Sequence, residues 1–166
     1  MKVALIALLL ALPAFAQAPS AASTAACGPE KAGFDVKLDK SQRGPEQPDP
    51  GKALIYFIQD IGRQRFGVGI AALTWVGLDG TWVGANKNNS YFSVSVEPGE
   101  HHACSIVRSE LLGHPVEFLH FTSEVGKVYY FRARYAAGFL NIDAVDSDEA
   151  RYLIDTYPQS ISQPKK

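Results

Sequence analysis

At 166 residues the chain is one domain's worth of sequence, enough for a single hydrophobic core and too short for two independent ones. Its 16 Lys and Arg against 17 Asp and Glu give a net charge of −1 with the signs interspersed, so the surface offers no steering toward nucleic acid or anionic lipid.

Lys2 followed by the apolar run Val3 to Leu12, which is too short to span a bilayer, reads as a secretory signal. Pro13 ends the run, and Ala14-Phe15-Ala16 supplies the small residues that signal peptidase accepts, so residues 1–16 are expected to be removed after Ala16. The mature chain is then expected in the periplasm or outside the cell. Residues 17–26 are almost all Ala, Ser, Thr, Pro and Gln and cannot offset their ordering entropy, which predicts a disordered leader. Ala25-Ala26-Cys27-Gly28 has the small residues that precede a lipidated cysteine. Thr24, however, stands where that motif carries Leu, and the apolar run stops well upstream. Soluble export is therefore the favoured expectation, with membrane contact only if Cys27 is lipidated. In an oxidising compartment Cys27 and Cys104 read as one disulfide that pins the N-terminal arm to the domain.

Phe34, Val36 and Leu38 alternate in a short extended segment expected to pack on the outside of the domain. Arg43 to Gly51 holds three prolines and two glycines and reads as a linker, so residues 17–51 are leader and arm. The β domain is expected over 52–158. It opens with Lys52 to Ile58, an unbroken apolar run typical of a buried strand. A glycine-containing loop over 61–69 leads to a strand over Ile70 to Leu78. Asp79-Gly80 is the pair a type I′ hairpin prefers, because both central residues need positive φ, and it returns the chain along Thr81 to Ala85. After a polar turn at Asn86 to Asn89, Phe92, Val94 and Val96 alternate with Tyr91, Ser93 and Ser95, which predicts one solvated face. Pro98-Gly99 turns into a strand over His101 to Val107, and Val116 to Ser123, Lys127 to Tyr135 and Phe139 to Val145 complete about seven or eight strands. Short connections without intervening helices predict an all-β, antiparallel sandwich. A short C-terminal helix follows, capped by Ser147, carrying Tyr152, Leu153 and Tyr157 along one side and stopped by Pro158. Residues 159–166 are polar and are expected to form a flexible tail.

Gly51 to Tyr56, Gly77-Leu78-Asp79-Gly80 with Val83-Gly84, Ser90-Tyr91-Phe92, Glu97-Pro98-Gly99-Glu100-His101 and Val125 to Phe131 together resemble the bacterial domain of unknown function 2846 family. The hairpin followed by Pro-Gly-Glu-His also resembles the PEGA surface modules, and the Tyr129-Tyr130-Phe131 strand favours the first family. The resemblance covers roughly residues 52 to 145. It implies an extracytoplasmic, prealbumin-like β-sandwich, often lipidated, with no catalytic residues to carry over.

The candidate sites are few. No Gly-x-Ser-x-Gly elbow, His-Glu-x-x-His helix, phosphate-cradling loop or dinucleotide fingerprint occurs, so no enzyme is predicted. His102 and Cys104 share a strand face and suit a soft metal, but a disulfide at Cys104 removes that ligand. His101, His114 and His120 are read as structural, and neither a metal site nor a cofactor is predicted. Asp143, Asp146, Asp148 and Glu149 lack the spacing of a calcium loop and are read mainly as helix-capping groups. Trp75, Trp82, Tyr91 and Phe92 are the candidate ligand-binding aromatics, for a glycan or an envelope protein, with Trp82 the more exposed. Core filling is the favoured alternative for all four. Arg132 and Arg134 alternate with Phe131, Ala133 and Tyr135 and are expected to face solvent. The sequence thus points to an exported, non-catalytic binding or structural module, the alternatives being a lipoprotein domain anchored through Cys27 and an enzyme whose site no motif reveals.

Overall fold

The computed structural model describes residues 26–29, 32–41, 47–61, 73–108, 114–136 and 139–165. The expected signal peptide, its cleavage site, residues 17–25 of the leader and positions 62–72 lie outside the described residues.

The run Ala-Leu-Ile-Tyr-Phe-Ile-Gln forms β2 (Ala53–Gln59), and every residue of it is buried, which requires cover on both faces of its sheet. One face supplies Ala53, Ile55 and Phe57 to the core between two sheets, where they meet Val76, Leu78, Phe92, Val96, Ala103 and Phe131. The other presents Leu54, Tyr56 and Ile58 to the helix α1 (Ser147–Thr156), which buries Ala150 and Leu153 against them. The remaining strands among the described residues are β1 (Phe34–Asp39), β3 (Leu73–Leu78), β4 (Thr81–Lys87), β5 (Ser90–Val96), β6 (Gly99–Arg108), β7 (Val116–Ser123), β8 (Val128–Ala136), β9 (Phe139–Ala144) and β10 (Gln159–Pro164). They form a six-stranded sheet ordered β1-β10-β5-β2-β8-β9 and a four-stranded sheet ordered β4-β3-β6-β7. The result is a mostly β, sandwich-like architecture of ten described strands with a short C-terminal helix.

The Asp79-Gly80 hairpin is present as expected, with φ of 49° and 77° at the two positions. The four-stranded sheet is antiparallel throughout. The six-stranded sheet corrects the antiparallel expectation, because β2 runs parallel to β8 and β10 runs parallel to β5. Helix α1 carries the chain back to bring β10 beside β5, and three short turns, β4 to β5, β5 to β6 and β7 to β8, bear on the placing of β8 beside β2. These turns carry the chain from one sheet to the other instead of pairing neighbouring strands.

The two strands beyond the expected count are β1 and β10. Residues 159–166, expected to fray, instead place β10 between β1 and β5. Its small polar side chains close the sandwich. Buried Ser160 meets Ser90 Oγ at 2.7 Å, and Ser162 Oγ accepts the Ala85 N–H at 3.2 Å. Asn86 joins this seam by donating to the Phe57 carbonyl at 3.0 Å. Gly84 permits the approach, since a Cβ there would lie 2.8 Å from the Phe92 ring.

Helix α1 alters two further expectations. Asp146, not Ser147, is its N-cap, because extended backbone at Asp146 aims the carboxylate at the Asp148 and Glu149 N–H groups, each 2.9 Å away. Those bonds hold its carboxyl below the ordinary aspartate value. Tyr152 is 70% exposed and does not share the buried side with Leu153. The face of β5 expected to be solvated is covered at Tyr91, which is fully buried under the helix.

Candidate functional site

Of the four candidate aromatics, the fold brings Trp75 and Trp82 together and separates the others. Phe92 faces the core between the sheets and Tyr91 the opposite side of β5, under α1. Trp75, Tyr91 and Phe92 are buried and offer no ring face to a ligand. Alternation along β3 sends Val76 and Leu78 inward and Trp75 and Gly77 to the outer face of the four-stranded sheet. There Trp75 meets Trp82 edge-on at 5.4 Å and Phe34 at 5.7 Å, and the Arg108 guanidinium sits 4.6 Å over its ring.

The expected disulfide is formed. Cys27 is bonded to Cys104 on β6, and Ala26, Cys27 and Cys104 are buried with Trp82 and Ile106 beside them. The arm lies close on the sheet. A Cβ at Gly77 would stand 2.7 Å from the Ala26 carbonyl oxygen, and one at Gly28 would stand 2.3 Å from Trp82 Cδ1. Trp82 Nε1 donates to the Pro29 carbonyl at 2.8 Å, so the arm also covers the tryptophan expected to be the more open. A bridged Cys104 rules out the His102 and Cys104 ligand pair, and the bond itself is consistent with an oxidising, extracytoplasmic location.

The turns that carry the family resemblance converge at one end of the sandwich. Asp79 of the hairpin accepts the His102 N–H through Oδ1 at 2.8 Å and faces His101 Nδ1 through Oδ2 at 2.7 Å. His101 Nε2 lies 2.8 Å from the Glu97 carbonyl oxygen and 3.1 Å from Ser123 Oγ. Lys52 pairs with Glu97 at 3.1 Å, and the Gly126 N–H donates to the Lys52 carbonyl at 2.9 Å. Asp79, His101 and Ser123 follow the order of a nucleophilic relay. Their surroundings make them a clamp instead. Ser123 is 3% exposed and its hydroxyl donates to the Glu97 carbonyl, and His101 is 7% exposed with both ring nitrogens against oxygens of the protein. Both groups are thus nearly closed to solvent.

A second polar cluster corrects the expectation for Arg132. It lies on the helix side of β8 and is buried, because α1 crosses the face that the alternation predicted to be solvated. Its guanidinium donates to Asp143 at 3.1 Å and to Glu149, while the more exposed Arg134 donates to Asp143 at 2.8 Å. Burial opposes the charge on Arg132, but the bonds to Asp143 and Glu149 outweigh it and hold its pKa above the ordinary value. Nearby, Tyr157 donates to Asp60 at 2.8 Å, and burial followed by that carboxylate raises the phenol well above its usual range. Asp143 and Glu149 thus serve the arginines and Asp146 the helix cap. Among the described residues no three His, Cys, Asp or Glu side chains cluster as a metal-ligand set.

The outer face of β6 and β7 remains open. His102, His120, Val116 and Phe118 are all exposed there, the last two at 41% and 40%. Sequence reasoning placed His102 on a face with Cys104 but did not bring His120 beside it, because that pairing depends on a strand register that spacing along one chain does not reveal. Compared with known proteins, the chain matches no family model, no curated protein and no solved structure.

Proposed function

We propose that this chain is an exported, non-catalytic β-sandwich of prealbumin-like type, serving as a binding or structural module of the periplasm or cell envelope. Kinship with the domain of unknown function 2846 family is part of the proposal. Its support is the convergence of Asp79-Gly80, Pro98 to His101 and Gly126 at one end of the fold, linked by the clamp on His101.

The single observation that carries the reading is the Cys27–Cys104 bond with the arm packed over Trp82. Disulfides form and persist in oxidising compartments. The same bond weighs against the alternative of a lipoprotein domain anchored at Cys27, since one sulfur cannot hold both a thioether-linked lipid and a disulfide partner. The closed surroundings of Ser123 and His101 support a non-catalytic role over an enzyme built on those groups.

Intact mass of the protein purified from its native envelope, alkylated with and without prior reduction, tests the proposal. The expected result is an N-terminus at Gln17 and two alkylated cysteines after reduction only. A lipid-sized mass on Cys27, or alkylation of both cysteines without reductant, overturns it.

A further inference from the structure

The antiparallel register of β6 and β7 sets His102 directly opposite His120. In the same ladder the Val107 N–H donates to the Pro115 carbonyl at 3.1 Å. Hydrogen-bonded and non-hydrogen-bonded pairs alternate along such a ladder, which puts His102 and His120 at a non-hydrogen-bonded position, where opposed side chains come closest. The rings accordingly stack, with centroids 4.5 Å apart and planes 16° from parallel. Both residues are exposed, and among the described residues neither ring has a hydrogen-bond partner. Neighbouring His101 differs, since the protein occupies both of its ring nitrogens.

Two imidazoles held side by side on exposed residues of a sheet form a bidentate donor set. Imidazole nitrogen favours the late divalent transition cations, and copper binds most tightly among them for a given site. Metal–nitrogen distances of about 2.0–2.1 Å require rotation of the two exposed rings toward one ion. The backbone at His102 is fixed on both sides, because β6 is held between β3 and β7 and tied through Cys104. Glu100, the next exposed residue on that face of β6, adds negative charge beside the rings.

We propose that His102 and His120 form a solvent-facing site for a divalent late transition cation, Cu²⁺ above all, with water completing the coordination sphere. The site is distinct from the clamp around His101 and does not depend on the proposed role of the module.

The test titrates the disulfide-bonded protein with Cu²⁺ in a non-coordinating buffer, followed by calorimetry and electron paramagnetic resonance. One ion per chain with two imidazole nitrogens in the spectrum is expected. His102→Ala and His120→Ala should each weaken binding on the order of 10²-fold, the loss anticipated when one of two linked donors is removed. His120→Gln, which retains a side chain of similar reach, should behave as His120→Ala, while His114→Ala should bind as the parent does. Matching thermal melts verify that the variants fold. Absence of saturable binding, a loss confined to one member of the pair, or a loss in His114→Ala overturns the proposal.

Discussion

Asp79 is bonded in three directions from one turn position. Its N–H donates to the His102 carbonyl at 2.8 Å, one carboxylate oxygen accepts the His102 N–H, and the other faces the His101 ring. At a φ of 49° it also occupies the left-handed region that Asp and Asn tolerate better than other non-glycine residues. Asp79→Ala is therefore expected to lower stability by about 2 kcal/mol, from two lost hydrogen bonds of roughly 1 kcal/mol each. Asp79→Asn, which keeps the backbone preference and an acceptor, should restore more than half of the loss. Urea denaturation of the three proteins measures both effects. The turn itself was legible in Asp-Gly, whereas its hold on His101 was not, since that depends on how β6 registers against β3. Arg132 shows the same limit. Alternation placed it correctly opposite Phe131, but nothing in the strand announced that a helix from later in the chain would cover that face.

At the scale of elements, apolar runs announced the strands that bury large side chains, and β2 through β9 were readable for that reason. The strand Gln-Ser-Ile-Ser-Gln-Pro escaped because it contributes one large apolar residue and is held by backbone pairing on both sides. Which short turns pair neighbours and which cross between sheets was equally hidden, since both kinds use the same turn residues. Deleting residues 159–166 tests how much β10 matters. The truncated chain is expected to lose the pairing of β1 along with β10 and to expose the seam of Ser90, Asn86 and Gly84, giving a lower unfolding midpoint in thermal denaturation. Hydrogen exchange should show lost protection at Phe34 to Asp39. Unchanged protection there would mean that β1 is held by the arm and not by β10.

For the molecule as a whole, the Cys27–Cys104 bond closes a span of 77 residues. Replacing both cysteines by Ser is expected to lower the unfolding free energy by about 4 kcal/mol on a chain-entropy basis. Trp82 emission should shift to the red as the arm leaves the ring, and an unshifted spectrum would show the arm docked without the bond. The arrangement of β1, β10 and β5 bears on the order in which the domain assembles. Among the described residues β1 is an edge strand whose sheet neighbour is β10, with pairs running from Asp39 and Gln159 to Phe34 and Pro164. An emerging chain therefore carries its first strand unpaired until the distant one arrives, and contacts of such long range make for slow folding. For the export proposed above such a delay is an advantage, since a slowly closing sheet stays pliable for translocation, and the same topology makes protection from aggregation matter until the sheet is complete.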